Sequence, residues 1–195
     1  MKLLTGLFII PLFAWGANGQ ANAVKDSEGN LYTVKKMADD KVWMTENLKI
    51  KIPGSYCYDN NDANCVKYGR LYTWKVAQDV CKLLGEGWRL PTNEEWAFLG
   101  IKYGGIRGDS SDGKAAYQAL MPGGKAEFNL QFAGGRSVDS IPGYARQDAH
   151  GFYWTATEVD STHAWFYNFG TNGKLMNRHS DGEKGEAFAV RCVKN

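Results

Sequence analysis

The sequence predicts an α+β domain of two or three short helices and a mostly antiparallel, twisted sheet, held by two disulfides. Three observations lead there. Apolar residues recur at helical spacing between residues 74 and 121, and short strand-like runs crowd the chain from residue 128 onward. Four cysteines follow an export-type leader.

Met1-Lys2 is a short basic start, and Leu3 to Trp15 is apolar except for Thr5, Gly6 and Pro11. The small residues Gly16, Ala17, Gly19, Ala21 and Ala23 follow. A basic end, an apolar core and small residues make a secretory signal peptide. The apolar stretch is shorter than the roughly 20 residues a membrane span needs, and no cysteine nearby offers a lipid anchor. Residues 1–19 are therefore expected to be removed, with cleavage as late as residue 23. Residues 20–195 remain as one domain, secreted or held at the cell surface, with the periplasm as the other exported location.

Hydrophobic residues at 44% and aromatics at 13% suit a folded globule rather than a disordered chain. A formal charge of +2 gives no footprint for nucleic acid. No other stretch is apolar for long enough to cross a membrane, and no repeat or Pro/Ser-rich linker divides the chain.

Short strands are expected at 31–35 and 42–44. Trp74 to Leu84 reads as a helix, because Ala77, Val80, Cys81 and Leu84 fall on one face. A second helix follows Pro91: Thr92 is its cap, and Glu95 returns a bond in the capping-box pattern. Trp96 and Leu99 share its inner side, and glycines 100, 104 and 105 are expected to end it. A third, about 113–121, has Asp112 as its candidate cap and stops at Pro122-Gly123-Gly124.

Phe128, Leu130 and Phe132 alternate with polar residues, as in a half-buried strand. Further strands are expected at 152–157, 163–169, 174–178 and 187–193. Asn172-Gly173 marks a hairpin between the middle two, since both residues accept positive φ. With no helices between them, these strands should be antiparallel.

In an oxidising compartment Cys57, Cys65, Cys81 and Cys192 read as two disulfides with three connectivities. Cys57–Cys65 is preferred because the pair lies close, in an Asx-rich loop. Cys81–Cys192 then clamps an early helix to the last strand. The paired CxxC spacing of a zinc site is absent.

The chemistry-bearing motifs are few. His150, His163 and His179 show no metal spacing, no HExxH and no nucleophile elbow, and nothing singles out a triad. Residues 108–115 nearly spell a P-loop, but Ala115 replaces the magnesium-holding hydroxyl and Asp109 and Asp112 repel phosphate. Asx runs offer oxygen ligands, so calcium is a candidate at Asp59 and Asp62 and in the Asp109/Asp112 loop; Asx residues also simply make turns. No other cofactor is expected, and no enzyme activity.

The strand at 163–169 places His163, Trp165, Tyr167 and Phe169 on one face and Ala164, Phe166 and Asn168 on the other. Either helices or loops cover both faces, or part of the Trp165/Tyr167 face is exposed as a platform. The second reading makes Trp165 and Tyr167 binding candidates, with Arg178, His179 and Asp181 supplying polar groups. Arg146 and Asp148 are further candidates.

Several segments match a known family in order. Val42-Trp43-Met44-Thr45-Glu46-Asn47-Leu48 resembles its "VWMAENL", and Cys57 to Cys65 its "CYDND…NC" loop. Tyr68 to Trp74 is similar to "YGRLYTW", and Gly87 to Trp96 to "GWRLPT-x-x-EW". Tyr153 to Glu158 resembles "YWSSTE", and Phe188 to Val193 the closing "FSVRCVK". These are elements of the Fibrobacter succinogenes major paralogous domain of secreted bacterial proteins. The Gly87–Trp96 element is also similar to one in the formylglycine-generating-enzyme (sulfatase-modifying factor) superfamily. There Arg89 is read as bridging buried carbonyls, with Trp88 and Trp96 in the core.

The resemblance implies a C-type-lectin-like fold in which a disulfide ties the first helix to the last strand, and whose loops often bind sugars or proteins. The expected function is thus a recognition domain for an extracellular glycan or a surface protein. The alternatives are a structural subunit of a fimbrial or matrix assembly, and a formylglycine-generating oxidase. The oxidase's copper-binding cysteine pair and "GNVWEW"-like segment have no counterpart here.

Overall fold

A computed structural model describes residues 23–109, 111–138 and 143–195. The expected leader at 1–19 lies outside them. Among the described residues no helix is long and apolar enough to cross a membrane.

The helical spacing after residue 74 produces α2 (Trp74–Val80), continued by a 3-10 turn over Cys81–Leu84. Ala77, Val80, Cys81 and Leu84 are all buried on its inner face. Upstream, where the sequence predicts an Asx-rich loop, lies a helix, α1 (Asp62–Tyr68). Only Cys65 and Tyr68 are buried on it, so its apolar signal is one pair of positions, while the Asn61 side chain caps it by accepting from the Ala63 amide.

Helix α3 (Asn93–Lys102) carries the expected capping box. The Glu95 amide donates to Thr92 Oγ1 at 3.2 Å, and the Thr92 amide donates to Glu95 Oε2 at 2.9 Å. Arg89 departs from expectation: its guanidinium meets both Glu95 carboxylate oxygens at 2.6 Å, a bidentate pair rather than a bridge between carbonyls. Gly100 lies inside this helix, where a Cβ would come within 2.8 Å of Ile106 and Met176. Helix α4 (Lys114–Leu120) begins after Gly113, whose φ of 74° makes it the cap in place of Asp112.

The strands form two sheets. The smaller joins β1 (Ala23–Lys25), β2 (Leu31–Lys36), β3 (Val42–Met44) and, at the chain end, β12 (Val193–Lys194), in that order. The larger contains β4 (Ser55–Tyr56), β5 (Leu71–Thr73), β8 (His150–Glu158), β9 (His163–Gly170), β10 (Met176–Glu183) and β11 (Ala187–Ala189). Its order is β10-β9-β8-β11-β5-β4. A small hairpin, β6 (Gly135–Arg136) and β7 (Tyr144–Ala145), joins it through a β6–β11 pairing.

The expected antiparallel pairing holds with one exception, since β11 runs parallel to β8 at Ala189↔Tyr153. The 187–193 segment is not one strand. It leaves the large sheet after Ala189 and enters the small one at Val193, giving the carbonyls of Val190 and Cys192 to the amides of Leu48 and Met44. At the β9–β10 turn the left-handed residue is Lys174, with φ of 51°, rather than Asn172 or Gly173.

The 128–132 segment is not a strand. Phe128 and Leu130 point inward as the alternation requires, but positive φ at Glu127 and Asn129 breaks the extended run. The Phe128 and Asn129 carbonyls instead accept from the buried guanidinium of Arg191, both at 2.8 Å.

One face of the large sheet packs on α3 and α4, with Trp96 at the centre against Trp43, Phe128, Tyr153 and Tyr167. The other face packs Trp154, Phe166 and Phe188 with Tyr72 and the inner side of α2. Both expected disulfides are present: Cys57–Cys65 closes the α1 loop and Cys81–Cys192 ties α2 to the terminal segment, 111 residues away. Closing a loop of that length stabilises the fold by about 4–5 kcal/mol in the chain-entropy model. The Cys81→Ser/Cys192→Ser double variant should therefore lose about 2–5 kcal/mol in urea unfolding, whereas an unchanged midpoint would show that packing alone holds α2.

Candidate functional site

The aromatic strand β9 sorts its residues in the reverse of the platform expectation. Tyr167 and Phe169 are fully buried. The Tyr167 ring stacks on Trp96 at 5.5 Å, and its hydroxyl donates to the Asn93 carbonyl at 3.0 Å. Burial pushes that hydroxyl well above the usual tyrosine range. Tyr167 is thus a core residue, corrected from binding candidate because α3 covers that face. Trp165 is half-buried, with the Arg178 guanidinium 5.3 Å over its ring. These two remain together, on the face opposite the opening described next.

The opening lies on the other face. Register sets Phe152 of β8 beside Asn168 of β9, and Phe166 of β9 beside His179 of β10. His150, Phe152, Phe166, Asn168 and His179 therefore share one side, joined by Phe188 of β11. Their rings form a run: His150 stacks on Phe152 at 5.7 Å, Phe152 on Phe188 at 5.1 Å, and Phe166 on His179 at 4.8 Å. Phe166 lies 5.0 Å from Phe188 and closes the run. Above this floor is a cleft of about 380 Å³, rimmed by Arg136, Arg146, Asp181 and Glu186.

The β6–β7 hairpin forms one wall and is braced from behind by the small disulfide loop. The Tyr58 and Tyr144 rings lie 5.3 Å apart, and the Tyr144 hydroxyl donates to Asn60 Oδ1 at 2.8 Å. Gly134 makes the close approach possible. Its φ is 67°, and a Cβ there would sit 2.6 Å from the Ala145 carbonyl and 2.7 Å from the Tyr58 ring. The turn leading into β8 is held by Tyr68, whose hydroxyl donates to the Asp148 carboxylate. Asp148 is thus a structural tie, while Arg146, at φ of 69°, reaches the rim.

Of the expected binding residues, His179 and Asp181 line the cleft, together with Arg146. His179 Nδ1 lies 3.8 Å from Asp181 Oδ1. Phe152, Phe188, Arg136 and His150 also line the cleft but are not among the candidates the sequence offers. The even-numbered alternation of His150 and Phe152 was a readable signal, but the arrival of β11 beside β8 and of the hairpin above it was not. Burial holds both cleft imidazoles below their ordinary value; the nearby charge of Arg146 adds to this at His150 and that of Arg107 at His179, while Asp181 opposes it. Asn168 Nδ2 sits 3.0 Å from His150 Nδ1. The floor is therefore uncharged at neutral pH.

Asp59 and Asp62 are exposed on the small disulfide loop, and Asp59 is in the left-handed region at φ of 52°. Among the described residues no three His, Cys, Asp or Glu side chains gather as a metal site, so the calcium expectation there finds no cluster to rest on. Asp112 turns its carboxylate onto its own helix, accepting from the Lys114 amide at 3.0 Å.

Among known families, the model for the Fibrobacter succinogenes major domain matches residues 36–194. No curated protein and no solved structure matches the chain.

The two imidazoles give a pH dependence with a definite sign. Their folded pKa lies below the unfolded value near 6.5, so the unfolded chain binds more protons as pH falls through that value. Thermal stability should drop between pH 7.5 and pH 5, above the range where carboxylates titrate. The double variant His150→Gln/His179→Gln should flatten that slope in calorimetry; an unaltered slope would mean that other groups set it.

Proposed function

The chain belongs to the Fibrobacter succinogenes major domain family, and from that premise we propose that it is an exported recognition domain. It binds carbohydrate in the aromatic-floored cleft between β10 and the β6–β7 hairpin. The observation that carries this reading is the unbroken run of rings at the bottom of an open cleft, with amide, guanidinium and carboxylate groups around it. Rings present apolar faces to the C–H faces of a sugar, while planar polar groups meet its hydroxyls.

Other features support the reading. The leader-like start and two disulfides fit an oxidising location outside the cytoplasm. All four cysteines are joined, so no thiol pair is available to hold copper as in the formylglycine-generating oxidases. The pairing of a helix with the terminal segment through Cys81–Cys192, beneath a curled and mostly antiparallel sheet, is the arrangement expected of a C-type-lectin-like frame.

A glycan array carrying plant and bacterial cell-wall oligosaccharides tests this directly. Binding is expected, and Phe152→Ala and Arg146→Ala should each weaken it about tenfold, the loss of roughly 1.4 kcal/mol. Trp165→Ala, on the opposite face, should leave it unchanged. An array with no binder, or sensitivity to Trp165→Ala alone, would refute the cleft. Self-association without glycan binding would instead favour a structural subunit.

A further inference from the structure

The cleft does not end at its own rim. A second hollow of about 250 Å³ adjoins it, lined by Arg107, Gly170, Leu175 and Asn177. Both hollows share His150, Asn168 and His179. These three lie on adjacent strands along a diagonal of the β8–β9–β10 face, so they form the floor where the hollows meet rather than a wall between them. Two strand spacings cover about 10 Å, and the hollows extend to either side of that line.

Charge is distributed unevenly along this groove. Arg136 and Arg146 line the first hollow and Arg107 the second, with the Arg136 guanidinium 4.3 Å over the Tyr56 ring at the edge. Among the described residues none of the three takes part in an ion pair. The two carboxylates of the groove line the first hollow, Asp181 exposed and Glu186 half-buried. Asp181 lies beside the His179 imidazole, and Glu186 Oε2 accepts from the Glu183 amide at 3.2 Å. Guanidinium groups without carboxylate partners, spaced along a groove, suit a ligand that carries its own repeated negative charge, because each can form a forked pair with a carboxylate.

Resting on the cleft reading above, we propose that the two hollows form one groove for an anionic polysaccharide, in which successive acidic sugar units meet Arg136 and Arg146 at one end and Arg107 at the other. The rings of the floor take the sugar faces, and the arginines select acidic units over neutral ones.

Titration calorimetry of the mature chain with digalacturonate, hexagalacturonate and neutral galactose oligomers of the same lengths tests this. Hexagalacturonate should bind about tenfold tighter than either digalacturonate or its neutral counterpart, and its affinity should fall with added salt. Arg107→Ala should remove most of the gain with length while leaving thermal unfolding unchanged, and Lys102→Ala, remote on α3, should change nothing. Equal affinity for neutral and acidic hexamers, lost in Arg146→Ala, would overturn the anionic proposal and leave the carbohydrate cleft standing. Binding of no saccharide of either kind would overturn both.

Discussion

A single buried cation organises this fold. The Arg191 side chain is fully enclosed, and burial lowers its pKa, yet a guanidinium does not give up its proton in a protein. It is held by Asn47 Oδ1 at 2.6 Å and by the carbonyls of Met44, Phe128 and Asn129 at 3.3, 2.8 and 2.8 Å. The Phe128 and Tyr153 rings lie 5.0 and 5.8 Å from its centre. Among the described residues no carboxylate hydrogen-bonds the guanidinium, so the desolvation of the charge is offset chiefly by oriented dipoles and the two rings, with the more distant charge of Glu46 adding to them. In return three segments are fixed to one point: the 44–47 corner, the irregular 127–130 stretch and the terminal segment.

That anchor has consequences in both directions along the chain. Cys192 follows immediately and reaches α2 through its disulfide, so the terminal segment is secured on two sides. Phe188, just upstream, is placed at the base of the cleft between Phe152 and Phe166. A second buried guanidinium repeats the device on a smaller scale. Arg70 donates to Ser55 Oγ at 2.9 Å and lies 3.2 and 3.3 Å from the sulfurs of Cys57 and Cys65. It steadies the loop that braces the cleft wall. The cleft is therefore carried by a frame tied together by crosslinks and buried cations.

Much of this frame is readable from residue patterns, because the signals are local. The face of Trp74–Leu84, the Thr92/Glu95 capping box and the disulfide pairs depend on neighbours or on spacing, and each is found as expected. What is hidden depends on long-range pairing. The alternation at Phe128, Leu130 and Phe132 is real as burial, but Arg191 takes the carbonyls a neighbouring strand would have used, so no strand forms. Helix α1 is hidden because only Cys65 and Tyr68 face inward. The cleft itself escapes sequence reading for the same reason: α3 claims Tyr167, and the opening on the opposite side of the sheet is made by the arrival of β11 and the β6–β7 hairpin beside β8. Only the polar residues Arg146, His179 and Asp181 follow from position in the chain.

The claim that Arg191 holds the frame is open to a direct measurement, the unfolding free energy of Arg191→Met. Methionine fills similar space and adds no charge, but leaves the acceptors of residues 44, 47, 128 and 129 without donors in a dry interior. At roughly 1–3 kcal/mol for each unsatisfied group, partly relieved by relaxation, the loss should reach about 3 kcal/mol or more, with Arg191→Lys intermediate. A methionine variant as stable as the natural chain would contradict the account, because the terminal segment would then be held by packing, its backbone bonds to Leu48 and Met44 and the disulfide without the cation.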